Sequence, residues 1–159
     1  MTTKDHDDHE ESEKERTTRR WNEMLQELRV AQTGVQVLTG FLLTVPFSQR
    51  FSDLDPTTED AYLVTVCSAV LAAGLLIAPV AFHRVLFGRN EKEWLVDAAN
   101  TSARAGLAML AVTMCGVMFV VFDMVVGRSA AVISSGLTAG LLLALWLVVP
   151  WIGGEVADE

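Results

Sequence analysis

Four stretches of the chain contain no Asp, Glu, Lys or Arg: between Arg29 and Arg50, between Asp60 and Arg84, between Arg104 and Asp123, and between Arg128 and Glu155. Each is close to the ~20 residues that cover ~30 Å of hydrocarbon at ~1.5 Å per residue. Runs such as LLLALWLVV do not alternate polar with apolar, so they do not read as barrel strands. Backbone N–H and C=O groups in lipid must be satisfied within the segment itself, which leaves the α-helix. The pattern predicts an all-α integral membrane protein with four transmembrane helices in a bundle. The spans are expected at about 30–48, 61–82, 105–123 and 130–152, inside a domain over 21–154.

The flanks extend two of these helices. Trp21, Leu25, Leu28, Gln32 and Val35 share one helical face, and Asn22, Gln26, Arg29, Thr33, Gln36 and Gly40 share another, so helix one is predicted to run from about 19 to 47. Asn90-x-x-Glu93 resembles a capping box and starts helix three well before its apolar stretch. Asp55-Pro56 predicts the start of helix two, with Asp as N-cap and Pro at the first helical position. The first apolar stretch is the most polar of the four, holding Gln32, Thr33, Gln36, Thr39 and Thr44. Neighbouring helices would have to cover those groups, so helix one is expected to be the most protein-facing.

Charge sets the orientation. Lys4, Lys14, Arg16, Arg19, Arg20 and Arg29 precede the first span, and Arg84, Arg89, Lys92 and Arg104 lie between the second and third. The other two loops hold only Arg50 and Arg128, a bias of ten against two. Basic residues stay on the cytoplasmic side, which predicts cytoplasmic N- and C-termini in the plasma membrane, with helices one and three extended into the cytoplasm. Residues 1–20 carry no apolar side chain after Met1 and read as a disordered charged tail, with an acidic tail at 155–159. The net charge of -8 arises from such local acids and signals no partner. There is no basic face interleaved with aromatics, so nucleic acid is not expected as a partner. No apolar core resembling a signal peptide opens the chain. Cys67 and Cys115 both fall in apolar stretches and read as buried, inert thiols.

Candidate chemistry is sparse. Gln32 and Gln36 stand one turn apart and either line a polar pathway with Thr39 or bond across to another helix. Pro79 removes a hydrogen bond to the Leu75 carbonyl, which is then open to an ion, a water or a neighbouring helix. His83, one turn on, is either a proton-handling group or an interfacial anchor. Gly136-x-x-x-Gly140, followed by Ala144, places small residues on one face of helix four, for packing within the chain or between copies. Asp123 ends the third span, either as a boundary marker or paired with Arg128 or Arg50 on the outer surface. His6 and His9 lie in an acidic run of the tail, where no fixed geometry favours a metal. No nucleophile elbow, HExxH, CxxC or phosphate-cradling glycine loop is present, so neither an enzyme nor a cofactor site is expected.

The segment from Trp21 through Gln36, leading into Phe41-Leu-Leu-Thr-Val-Pro-Phe47, resembles the opening of a family of small four-span membrane proteins from high-GC Gram-positive bacteria. Ala78-Pro-Val-Ala-Phe-His-Arg84 with Leu86-Phe87 resembles that family's second signature. The resemblance covers roughly residues 20–150 and implies a domain of unknown function, with a sodium:proton antiporter label on some members. Proton-coupled carriers usually place an ionisable group within the membrane, and none stands deep in these spans. Small four-span multidrug exporters, which use an embedded glutamate in their first helix, resemble the chain only in outline. The favoured expectation is a non-enzymatic interaction or envelope-organising module, with the lipid bilayer as its surroundings, a homo-oligomer as one assembly and an unknown protein partner. The alternative is a small oligomeric ion or proton-coupled transporter or channel.

Overall fold

The computed structural model describes Arg19, residues 26–86 and residues 92–149, apart from the side chains of residues 83, 85, 86 and 92–96. The charged tail except Arg19, the Asn90 half of the capping box and the acidic end lie outside the described residues.

Four helices follow in order. Helix α1 covers residues 26–44 and tightens into a 3-10 turn at Val45–Phe47. Pro46, which has no N–H to give, sits in that turn. After a second 3-10 turn at Phe51–Asp53 comes α2, Pro56–Leu86, which continues through Pro79 for two further turns. Helix α3 spans Lys92–Val125, and its 34 residues make it about 50 Å long. Helix α4 spans Arg128–Leu143 and widens into a π-helical turn at Ala144–Val148, where the Val149 N–H reaches the Ala144 carbonyl. Between α3 and α4 the chain reverses at Gly127, whose φ of 121° is a conformation that L side chains rarely adopt. All four helices are long and apolar enough to cross a membrane, and the described residues contain no strand.

The helices pack antiparallel around two apolar clusters. Leu28 and Val35 of α1 meet Ala72 and Leu76 of α2 and Ala103 of α3. Nearer the loops joining α1 to α2 and α3 to α4, Leu42 meets Tyr62, Ala69 and Val120. The buried line on α2 is Thr58, Tyr62, Thr65, Ala69, Ala72, Leu76 and Pro79. These positions alternate in steps of four and three, the 3.5-residue repeat of helices wound about one another. Small residues let α3 approach closely: a Cβ at Gly106 would lie 2.9 Å from Leu76 Cγ, and one at Gly116 would overlap Thr65 Oγ1. Helix α4 contributes to neither cluster and rests on α3, burying Ala131, Ser134 and Leu142.

Two expectations are corrected here. Helix α1 is the least buried of the four, with 11% of its apolar window inside the bundle against 33% for α2. The tight α2–α3 seam forms the centre, and α1 contributes one narrow edge to it. Cys67 is exposed and Cys115 half-buried; both are free thiols. Cys67 falls between the seam positions Thr65 and Ala69, on the outward side of α2.

Candidate functional site

Polar side chains concentrate at two levels of the bundle, one near each end. The first surrounds Pro79. The missing N–H of Pro79 leaves the Leu75 carbonyl without its usual donor. Ser102 of α3 fills that vacancy, its Oγ donating to Leu75 O at 2.7 Å. Gln32 of α1 donates from Nε2 to the adjacent Leu76 carbonyl at 2.9 Å. The broken turn of α2 is thus held from both sides, by α1 and by α3. Gly106 stands one turn from Ser102 and keeps α3 close enough for the short serine to reach.

The second level lies at the paired-loop end. Asp55 caps α2, its Oδ1 accepting from the backbone of Thr57 at 2.9 Å and of Thr58 at 3.3 Å. Its Oδ2 accepts from Arg128 Nη2 at 2.6 Å and from the Thr58 hydroxyl at 2.9 Å. The Arg128 guanidinium and the Thr58 hydroxyl hold the Asp55 carboxyl down to about 2. Asp123, whose side chain is 8% exposed, receives Arg128 Nε at 3.2 Å and lies in hydrogen-bond contact with the Thr58 hydroxyl. Arg128 also covers the Phe119 ring, 5.3 Å from its centroid. Arg50 donates instead to the Met124 carbonyl at 2.7 Å, near the negative end of the α3 dipole. Just beneath, the Tyr62 hydroxyl donates to Leu42 O at 3.0 Å and packs edge-on against Phe51.

The residues singled out by sequence are therefore dispersed. Gln32 and Pro79 meet at the first level. Thr39 donates to Val35 O within its own helix, at 2.7 Å. Gln36 is exposed on α1 and makes no hydrogen bond among the described residues. His83 stands on α2 one turn beyond Pro79, with its side chain outside the described residues. Gly136, Gly140 and Ala144 are exposed, and a Cβ at either glycine would meet nothing within 4 Å, so among the described residues this stripe packs against no other helix. The close approach falls at Gly106 and Gly116, and Gly116 was not apparent from its immediate sequence. Its signal is the 3.5-residue repeat, in which the small and polar side chains of α2 carry the seam.

Chemically, the two levels are braces. Among the described residues no buried side-chain polar atom lacks a partner, and no three His, Cys, Asp or Glu converge as metal ligands. The Leu75 and Leu76 carbonyls at the proline break are each engaged by a side chain.

The model of a family of unknown function (DUF6328) matches residues 10–150. Nothing among the curated proteins or the solved structures matches the chain.

Proposed function

The chain belongs to the DUF6328 family of unknown function, and on that premise we propose that it is a multi-pass protein of the plasma membrane, acting as a non-enzymatic interaction or envelope-organising module. The observation that carries this reading is the inversion of its surface. Large apolar side chains stand exposed along all four helices, among them Phe41, Leu71, Val121 and Leu137, while the polar groups at the Pro79 break are spent on backbone carbonyls. So much exposed apolar area finds its proper solvent in lipid. The ten-to-two distribution of basic residues supports cytoplasmic termini, with the Ser48–Asp55 loop outside.

Reporter fusions test the placement. A cytoplasm-active reporter should work at both termini and fail at Ser52, and the protein should resist alkaline carbonate. A soluble protein, or termini active in an outside reporter, would overturn the reading. The competing reading is a transporter or channel lined by several copies; Gln36, polar and unpartnered on the bundle surface, is the feature that favours it. Purified protein in liposomes separates the two. Flux equal to that of empty liposomes across sodium and proton gradients supports a non-transporting module, and flux that Gln36→Leu abolishes refutes it.

A further inference from the structure

The exposed half of α1 divides along its length. One edge carries Gln26, Arg29, Thr33, Gln36, Gly40 and Thr44; the other carries Val30, Val37 and Phe41. All nine are exposed. Thr33 and Thr44 satisfy their hydroxyls internally, donating to Arg29 O at 3.0 Å and Phe41 O at 2.7 Å. Gln36 does not, and a Cβ at Gly40 would meet nothing within 4 Å. Gln36 lies near the middle of the 22-residue span Gln26–Phe47, roughly 15 Å from either end.

On the reading that α1 crosses a membrane, this amide sits at the depth where lipid chains provide neither donor nor acceptor. A carboxamide is both at once. The group it fits without any further residue is a second carboxamide at the same depth and in the same direction, which another copy of the chain supplies. A two-fold axis places the same patch on both sides of an interface, so one glutamine answers the other. Gly40, one turn away on the same edge, lets the two backbones approach. Arg29 lies two turns from Gln36 toward the end of the span, where helices that cross at Gln36 and Gly40 have separated. The α4 stripe of Gly136 and Gly140 is equally open, but α4 carries no carboxamide.

We infer that α1 is a self-association surface: two copies of the chain pack along Thr33, Gln36 and Gly40, with their Gln36 carboxamides hydrogen-bonded to each other. The inference rests on the membrane reading, and its test keeps the two apart. Single cysteines are introduced into the full chain carrying Cys67→Ala and Cys115→Ala, and oxidative cross-linking is read in the carbonate-resistant membrane fraction. Thr33→Cys and Gly40→Cys should give a disulfide-linked dimer several-fold more abundant than Phe41→Cys, about 100° around the helix from Gly40 at nearly the same depth, or Gly136→Cys. Adding Gln36→Leu should lower the Thr33→Cys yield several-fold, and Gln36→Asn should lower it less. Equal yields on both edges of α1, the strongest yield at Gly136, products containing a different protein, or indifference to Gln36→Leu would each overturn the inference. Carbonate-resistant protein without a Thr33 or Gly40 product defeats the dimer alone, whereas release by carbonate defeats the membrane reading.

Discussion

Replacing Gly116 by alanine measures how tightly α2 and α3 are joined. The added methyl group would overlap Thr65 Oγ1 and lie 3.0 Å from Thr65 Cβ. Thr65 has little room to yield: it is 1% exposed, it is stiff at χ1, and its hydroxyl already donates to Ala61 O at 2.7 Å. The helices must separate or the threonine must leave its rotamer, and overpacking of this kind costs about 1–3 kcal/mol. Gly→Ala also favours helix by up to ~1 kcal/mol. Gly136→Ala carries that gain without the clash, because its Cβ meets nothing. The difference between the two variants therefore isolates the seam and should be about 1–3 kcal/mol, roughly 5- to 150-fold in the folding equilibrium. SDS titration of purified protein in mixed micelles reads it. Thr65→Ala should recover much of the loss by emptying the space the methyl needs. Equal stability of Gly116→Ala and Gly136→Ala, within about 0.5 kcal/mol, would refute the close approach.

Ser102→Ala should destabilise the bundle by about 1 kcal/mol, because the Leu75 carbonyl then has no donor. In a Pro79→Ala background that carbonyl regains a helical N–H, so the same change should cost less; a strictly additive double-mutant cycle would contradict the brace. The Asp55 carboxyl is lowered from 3.8 to about 2, so its link to Arg128 contributes above the ordinary carboxylate range and is lost as pH falls through about 2. Thermal unfolding of wild type and Asp55→Asn should accordingly converge between pH 4 and pH 2, and a constant difference over that range would contradict the pairing. Gln32→Leu should lower stability while leaving α1 self-association intact, whereas Gln36→Leu should do the reverse, as read by unfolding and cross-linking on the same samples.

Much of the architecture was legible because long uncharged apolar stretches leave the backbone few partners besides its own helical hydrogen bonds. Four uncharged stretches of span length become four helices, and Asp55-Pro56 caps α2 where local chemistry places it. The vacancy left by Pro79 could also be read, since a proline removes a donor wherever it stands. Its occupants could not, because Ser102 and Gln32 lie 27 and 44 residues from the carbonyls they engage. Asp123 had two candidate arginines, one in each of the two loops expected on its side of the bundle, and only the packed end of the bundle assigns it Arg128 and sends Arg50 to a backbone carbonyl.

Polarity misled the reading of α1. Its glutamines and threonines suggested a helix enclosed by neighbours, yet the centre went to α2, whose seam sets the small Thr58, Thr65, Ala69 and Ala72 between the bulkier Tyr62 and Leu76. Gly136-x-x-x-Gly140 attracted notice by its spacing, but a glycine permits close approach only where another helix arrives, and that occurs at Gly106 and Gly116. Sequence alone determined which segments become apolar helices, because that choice depends on local composition and on the backbone's need for internal hydrogen bonds. Which faces meet was decided only by the tertiary structure, because contact depends on the shapes of two surfaces together and neither helix encodes its partner's.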